Sequence, residues 1–269
     1  MPSRRSASWL VVTTLVVALA ATGCLRDAAP EQAPPRLTPG APDTTPAPAA
    51  STTPARPAKP ASVAVAAVAK TDVTAWSSPT RRRMLGLFPA RQSSRERTTF
   101  LVAQPPNAAG RTAEPTGWLR VMLPRRPNGS TGWIQRDQVD LVPLRNRVEV
   151  DLSSRQLTLF ELDRVVRRWP VTVGGPDTPT PTGRFFITVK LKPPAISRSA
   201  YGAFALGLSG YSDVLDQFGT GDGQIALHGT LHPASVGLAV SHGCVRLNNQ
   251  AITKLAADLP LGTPVEIRA

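Results

Sequence analysis

Aromatic residues are scarce: five Trp, seven Phe and two Tyr in 269 residues, which is too little bulky material for two large cores. Cysteine is scarcer still. The only two, Cys24 and Cys244, exclude the disulfide framework that staples small secreted domains. Histidine occurs three times, at 228, 232 and 242, and never after Cys244. That order excludes thiol peptidases whose catalytic histidine follows the cysteine. Acidic side chains are also few, 18 against 31 Lys and Arg, for a net charge of +13. No internal repeat is visible. A single long apolar run, Trp9 to Ala21, falls short of the roughly 20 residues that a spanning helix needs.

That run follows Arg4 and Arg5, the layout of a secretory signal. It ends Ala21-Thr22-Gly23-Cys24, which resembles a lipoprotein signal in which Cys24 becomes the lipid-modified first residue. Ala18-Leu19-Ala20 would also serve ordinary cleavage. Residues 1–24 therefore read as a signal peptide, and the protein as exported and anchored to the membrane through lipid on Cys24. Ten of the 28 prolines lie between Pro30 and Pro60. Pro, Ala and Thr bury too little apolar area to offset chain entropy, so residues 25–63 are expected to be a disordered linker. Charge is uneven: residues 64–144 hold twelve basic against five acidic side chains, +7, while the stretches on either side carry +3 each. A basic module favours polyanions, but export removes nucleic acid as a partner and leaves acidic wall polymers or lipid.

Residues 64–143 read as a small all-β module. Val63, Val65 and Val68 open it, and Thr98–Val102 and Gly117–Val121 are further strands. Pro127-Asn128-Gly129 carries the dipeptide that a type I′ hairpin requires before Gly132-Trp133-Ile134 resumes a strand. Asp137-Gln138-Val139 reads as a short helical turn. The paired Gly-Trp segments resemble bacterial SH3-like barrels, with Trp118 and Trp133 expected to fill the core.

From Arg145 the pattern changes. Val148, Val150 and Leu152 alternate with charged residues, a strand with one buried face. Gln156–Leu162, Val165–Val173 and Phe185–Val189 read as the next three strands. Residues 193–223 are rich in Gly, Ser and Pro and read as an irregular cover on the substrate side. Gln224–Leu227 is a short strand delivering His228. Ala251, Ile252, Leu255, Ala256 and Leu259 make a helical stripe, capped by Asn248 and stopped by Pro260, and Val265–Ile267 closes the sheet.

The chemistry concentrates in His228-Gly229-Thr230 and Ser241-His242-Gly243-Cys244-Val245-Arg246-Leu247. A free thiol titrates near 8.5 and is mostly protonated at neutral pH. A neighbouring imidazole can take its proton and leave a reactive thiolate–imidazolium pair. Either His228 or His242 could be that base on spacing alone. With Cys24 lipidated or removed, Cys244 is an odd cysteine in an exported protein, which points to a reactive thiol. A zinc site of His228, His232, His242 and Cys244 is disfavoured, because Gly229 and Pro233 break the helix that a His-x3-His pair would need. No metal or other cofactor is expected, and His232 reads as a surface residue.

The order histidine, then Ser-His-Gly-Cys-x-Arg, together with Thr180-Pro181-Thr182-Gly183-Arg184-Phe185, resembles the L,D-transpeptidase (YkuD-type) family over residues 145–269. The resemblance implies a mainly β, sandwich-like catalytic domain with one short helix. It implies that Cys244 is the nucleophile and His228 the general base and acid, with the Gly229 carbonyl orienting the imidazole. The backbone N–H groups of His242, Gly243 and Cys244 would hold the oxyanion, and Thr230, Ser241 and Arg246 would support the motif or the substrate. The implied reaction is 3→3 cross-linking of peptidoglycan stem peptides through a Cys244 thioester; the sequence does not fix the oligomeric state, with a monomer favoured. Water as acceptor would make the protein an L,D-carboxypeptidase; a wall-binding lipoprotein without activity is the rival of another class.

Overall fold

The computed structural model describes residues 64–104, 115, 117–194, 198–217 and 221–269. The expected signal peptide, Cys24 and the Pro-rich linker lie outside the described residues. Among those described, no helix is long and apolar enough to cross a membrane.

Seven short strands make the first module: β1 (Ala64–Ala69), β2 (Val73–Trp76), β3 (Met84–Phe88), β4 (Thr99–Leu101), β5 (Trp118–Met122), β6 (Thr131–Gln135) and β7 (Val139–Leu144). They form a three-stranded sheet, β4-β1-β7, and a four-stranded one, β3-β2-β6-β5. The two close on Val73, Phe100, Leu119, Val121, Ile134 and Val139. The strand period of two decides the place of the tryptophans. Leu119 and Val121 of β5 and Ile134 of β6 point inward, so Trp118 and Trp133 fall on the outer face and are only half-buried. They do not fill the core as expected. There Trp133 lies opposite Trp76, and the Arg81 guanidinium stands 5.7 Å from the Trp118 ring.

The β5–β6 turn also departs from expectation. Gly129 has φ +77, but Asn128 is not among the residues of positive φ, and the Ser130 N–H donates to Pro127 O at 3.2 Å. That is a type II turn with glycine at its third position, not the type I′ turn, which needs positive φ at both central residues.

The second module holds β8 (Asn146–Asp151), β9 (Gln156–Glu161), β10 (Arg164–Pro170), β11 (Val173–Gly174), β12 (Gly183–Leu191), β13 (Ala205–Tyr211), β14 (Gln224–His228), β15 (Ala239–Ser241), β16 (Val245–Arg246) and β17 (Pro264–Arg268). Helices are α1 (Arg198–Tyr201) and α2 (Asn249–Asp258). Eight strands form one sheet in the order β10-β9-β8-β17-β12-β13-β14-β16. The chain is mainly β, as the sequence led us to expect. Strand β17 lies inside this sheet, parallel to β8 and antiparallel to β12, so it joins two hairpin systems and does not close an edge.

Two stretches differ from the sequence reading. The expected strand Val165–Val173 is broken after Pro170, whose nitrogen carries no ladder donor. Beyond it, Thr172 exchanges both backbone hydrogen bonds with Arg246 at 2.9 Å, and β11 pairs in parallel with β15. The supposedly irregular 193–223 region contains β13, an inner strand buried from Ala205 to Gly210. Its glycines disguised it. A Cβ on Gly210 would stand 2.4 Å from the Phe185 ring, and one on Gly207 would stand 2.8 Å from Val189 Cγ1. Here glycine makes room for a neighbour's side chain rather than breaking the strand.

Helix α2 packs its stripe of Ala251, Ile252, Leu255 and Ala256 into the main core. The Asn248 side chain accepts from the Ala251 N–H at 2.8 Å, which satisfies one of the orphan donors of the first turn. At the other end Lys190 Nζ donates to Ala256 O and Leu259 O at 3.2 and 3.3 Å, a cation at the negative end of the helix dipole.

The two modules share a core. Phe186 of β12 is fully buried against Ala66, Leu101, Met122 and Leu144 of the first module. Burying such a side chain contributes roughly 1.5–3 kcal/mol. Polar contacts flank it: Gln92 Nε2 donates to Thr188 O at 2.7 Å and the Lys190 N–H donates to Glu96 Oε2 at 3.0 Å. Thr188 lies at an irregularity of the β12–β13 ladder, where its carbonyl is free to accept from outside the sheet.

Candidate active site

Strands β14 and β16 run in parallel, with Leu227 beside Val245 and His228 beside Arg246. Side chains alternate along each strand, so Ala226 and His228 share a face with Cys244 and Arg246. All four line one cavity of about 590 Å³. Leu227 and Val245 point the other way and are buried in the core. Apolar residues at alternate positions thus fix which way the thiol and the imidazole face.

The resting protonation of the site follows from its hydrogen bonds and burial. His228 Nδ1 lies 2.7 Å from Gly229 O. A carbonyl can only accept, so the proton is on Nδ1 and the lone pair on Nε2. Burial lowers the His228 pKa to about 4, with the Gly229 carbonyl opposing that shift and the Arg246 charge adding to it. Cys244 is partly open to the cavity but recessed. Burial pushes its thiol up, against a backbone hydrogen bond from Ala226 and the Arg246 charge, both of which favour the thiolate. Desolvation disfavours charge on both groups, so burial works against the thiolate–imidazolium pair, while the Gly229 carbonyl favours the imidazolium and the Ala226 N–H and the Arg246 charge favour the thiolate.

The turn before Cys244 is held from three sides. Ser241 is buried; its Oγ donates to Cys244 O at 2.6 Å and accepts from the Gly243 N–H at 3.2 Å. Its carbonyl accepts from Thr178 Oγ1 and from the Gly175 N–H, each at 3.0 Å. Gly243 has φ +104, a conformation that side chains disfavour, and lies over the Pro179 carbonyl. Thr180 of the Thr-Pro-Thr-Gly segment is buried and accepts from the Gly174 N–H at 2.8 Å. Thr180 thereby fixes Gly174, next to the Gly175 N–H that donates to Ser241 O.

Thr230 is buried, and its Oγ1 accepts from the His232 N–H at 3.0 Å. His232 and His242 are exposed and line the cavity together with Lys192. Arg246 Nε is buried and has no hydrogen-bond partner among the described residues. The described residues include no group of three or more His, Cys, Asp or Glu side chains placed to hold a metal. Sequence reasoning missed Tyr201, whose ring meets His228 edge-on with centroids 5.3 Å apart. Nothing marked it beyond its place in the Gly-rich stretch. The arrangement can perform acyl transfer: a thiol and an unprotonated imidazole nitrogen face one cavity, with cationic side chains around them.

The YkuD L,D-transpeptidase catalytic domain matches residues 145–267. A Bacillus licheniformis protein whose name assigns it to the L,D-transpeptidases, as YkuD, is 34% identical over 155 residues, covering 55% of this chain and 85% of that protein. The chain belongs to the YkuD family of L,D-transpeptidases. The Bacillus subtilis YkuD is 37% identical over 120 residues, 45% of this chain and 64% of its own length. Among solved structures, an L,D-transpeptidase from Mycobacterium smegmatis is similar at 17% identity and a TM-score of 0.40, covering 64% of this chain and 90% of that one. Within the YkuD match lie all three histidines and Cys244; the seven-stranded module precedes it.

Proposed function

We propose that this L,D-transpeptidase makes 3→3 cross-links between peptidoglycan stem peptides by way of a thioester on Cys244. One observation carries the reading: the Gly229 carbonyl fixes the His228 tautomer, so a basic Nε2 and the Cys244 thiol face the same cavity. Cys244 Sγ attacks the carbonyl between the L-centre of the third stem residue and the terminal D-Ala, while His228 takes the thiol proton. The oxyanion is held by backbone N–H groups of His242 and Cys244, with the Gly243 N–H turned towards Ser241 at rest. The C–N bond breaks, His228 returns the proton to the D-Ala amine, and the thioester remains. The side-chain amine of a second stem attacks the thioester, loses its proton to His228 and releases Cys244. The buried, unpartnered Arg246 Nε supports a stem carboxylate near it, and Lys192 adds positive charge to the same cavity.

Export and lipidation at Cys24 belong to the same reading, and they rest on the sequence of residues 1–24. An SH3-like role for the first module belongs to it too, and rests on the paired Gly117-Trp118 and Gly132-Trp133 segments. Incubation with a defined tetrapeptide muropeptide, read by mass spectrometry, tests the function. A cross-linked dimer with loss of D-Ala is expected. A trimmed tripeptide alone would reassign the protein as a carboxypeptidase, and unchanged substrate as a binding protein. The family's chemistry also leads us to expect a carbapenem adduct on Cys244 in the same assay.

A further inference from the structure

The β5–β6 loop of the first module reaches the rim of the catalytic cavity. Arg126 Nη1 donates to Ser212 O at 2.6 Å, and Nη2 donates to Leu215 O at 2.9 Å and to Asp222 O at 3.3 Å. Its guanidinium stands 5.2 Å from the Tyr211 ring centroid. Asn128 pairs with the Tyr211 backbone as a strand would: the Tyr211 N–H donates to Oδ1 at 2.9 Å, and Nδ2 donates to Tyr211 O at 2.8 Å. Nδ2 also donates to Asp213 Oδ1 at 3.1 Å, and the Tyr211 hydroxyl donates to Pro124 O at 3.2 Å. Gly223, at φ +78, completes the crossing. A Cβ there would lie 2.3 Å from Leu215 O and 2.8 Å from Arg126 Nη2.

Ser212, Leu215, Asp222 and Gly223 all line the cavity that holds Cys244 and His228. That stretch of wall contains none of the catalytic candidates. Its described residues, 212–217 and 221–223, lie between β13, which ends at Tyr211, and β14, which begins at Gln224; within them the Ser212 N–H donates to Gly223 O at 2.8 Å and Ser212 Oγ accepts from the Val214 and Leu215 N–H groups. Of its two large apolar side chains, Val214 is 54% exposed and Leu215 is half-buried at the cavity, so neither is held in a core. Segments of this kind open locally unless something else fixes them. Here three carbonyls from separate points of the wall share one guanidinium, and a planar fork can serve several acceptors at once.

We infer that Arg126 and Asn128 are positioning residues through which the first module sets the shape of the substrate wall of the catalytic cavity. This rests on the acyl-transfer reading only for the identity of the substrate. The module is then a working part of the enzyme and not solely a wall anchor. Neither residue touches the reacting atoms, so their loss disturbs capture of the donor stem more than the chemistry at Cys244.

The test uses the full chain with Arg126→Ala and Asn128→Ala, plus Asn128→Asp, which keeps the acceptor for the Tyr211 N–H but sets a carboxylate oxygen against Tyr211 O and Asp213 Oδ1. Hydrogen exchange and steady-state turnover of the tetrapeptide muropeptide are read together. In both Ala variants, exchange over 211–217 and 221–224 should rise, while β8 and β9 stay protected as in the parent. KM should rise about tenfold with kcat within about twofold, since small misplacements of positioning groups are costly. Asn128→Asp should loosen Tyr211 and Asp213 at least as much as Asn128→Ala, with a rise in KM to match. Unchanged exchange along the wall, or loosened exchange with KM unmoved, overturns the inference. So does loosening that extends to β8 and β9, which would make the contact general structural support. A parent without turnover would count against the proposed function, and the exchange comparison would still decide whether Arg126 and Asn128 hold the wall.

Discussion

At the scale of single residues, the Gly229 carbonyl and the burial of His228 govern the pH behaviour. The His228 pKa is lowered from 6.5 to about 4, so the imidazole stays a competent base far below the usual histidine range. The acid limb of kcat/KM is accordingly expected near pH 4, with no inflection at about 6.5; a limb at the ordinary histidine value would show that burial does not depress the catalytic imidazole. Stability follows with the same sign. Between about pH 6.5 and 4 the unfolded chain binds a proton at this position that the folded chain does not. Stability is therefore complete above about 6.5 and falls as the pH drops towards 4, by an amount on the order of 3 kcal/mol. Spacing alone singled out Cys244 with His228 and His242 as rival bases, and the choice of His228 and Gly229 came from the family resemblance. Their burial was not legible, because it depends on how β13, β14 and β16 pack together. Tyr201 and Arg126 were unreadable for a related reason. Each acts through a contact with a residue distant in the chain.

At the scale of elements, alternation revealed β8, short apolar runs revealed β9, β12 and β14, and the Asn248 cap with its apolar stripe revealed α2. What failed was β13. Its Ala-Leu-Gly-Leu-Ser-Gly-Tyr sequence looks like a loop because two positions lack side chains, and those are the positions where Phe185 and Val189 fill the space. Gly210→Ala is therefore expected to lower stability in urea by about 1–3 kcal/mol with an unchanged m-value. A neutral effect would mean that Phe185, itself 1% exposed, can move aside. The first module was half-legible. Strands β1, β4, β5 and β6 were seen, but β2, β3 and β7 were not. In β3 the apolar Met84 and Leu87 are exposed, so no alternation between buried and solvent-facing positions marks it.

At the scale of the whole molecule, the sequence suggested two consecutive modules, one basic and one catalytic. The structure joins them more closely. Phe186 completes a core made mostly by the first module, Gln92 and Glu96 bind the backbone of β12, and Arg126 and Asn128 bind the cavity wall. No spacing rule announces such contacts, which link residues roughly 90 positions apart in the chain. The central claim concerns what this joined structure presents to substrate: one thiol, activated by one buried imidazole. The most direct measurement is intact-mass detection of the acyl-enzyme on mixing the muropeptide donor with the parent, His228→Ala and His242→Ala proteins. The account predicts a thioester adduct on Cys244 in the parent, none with His228→Ala, and a reduced but detectable adduct with His242→Ala. Equal, mild losses in the two histidine variants would contradict it.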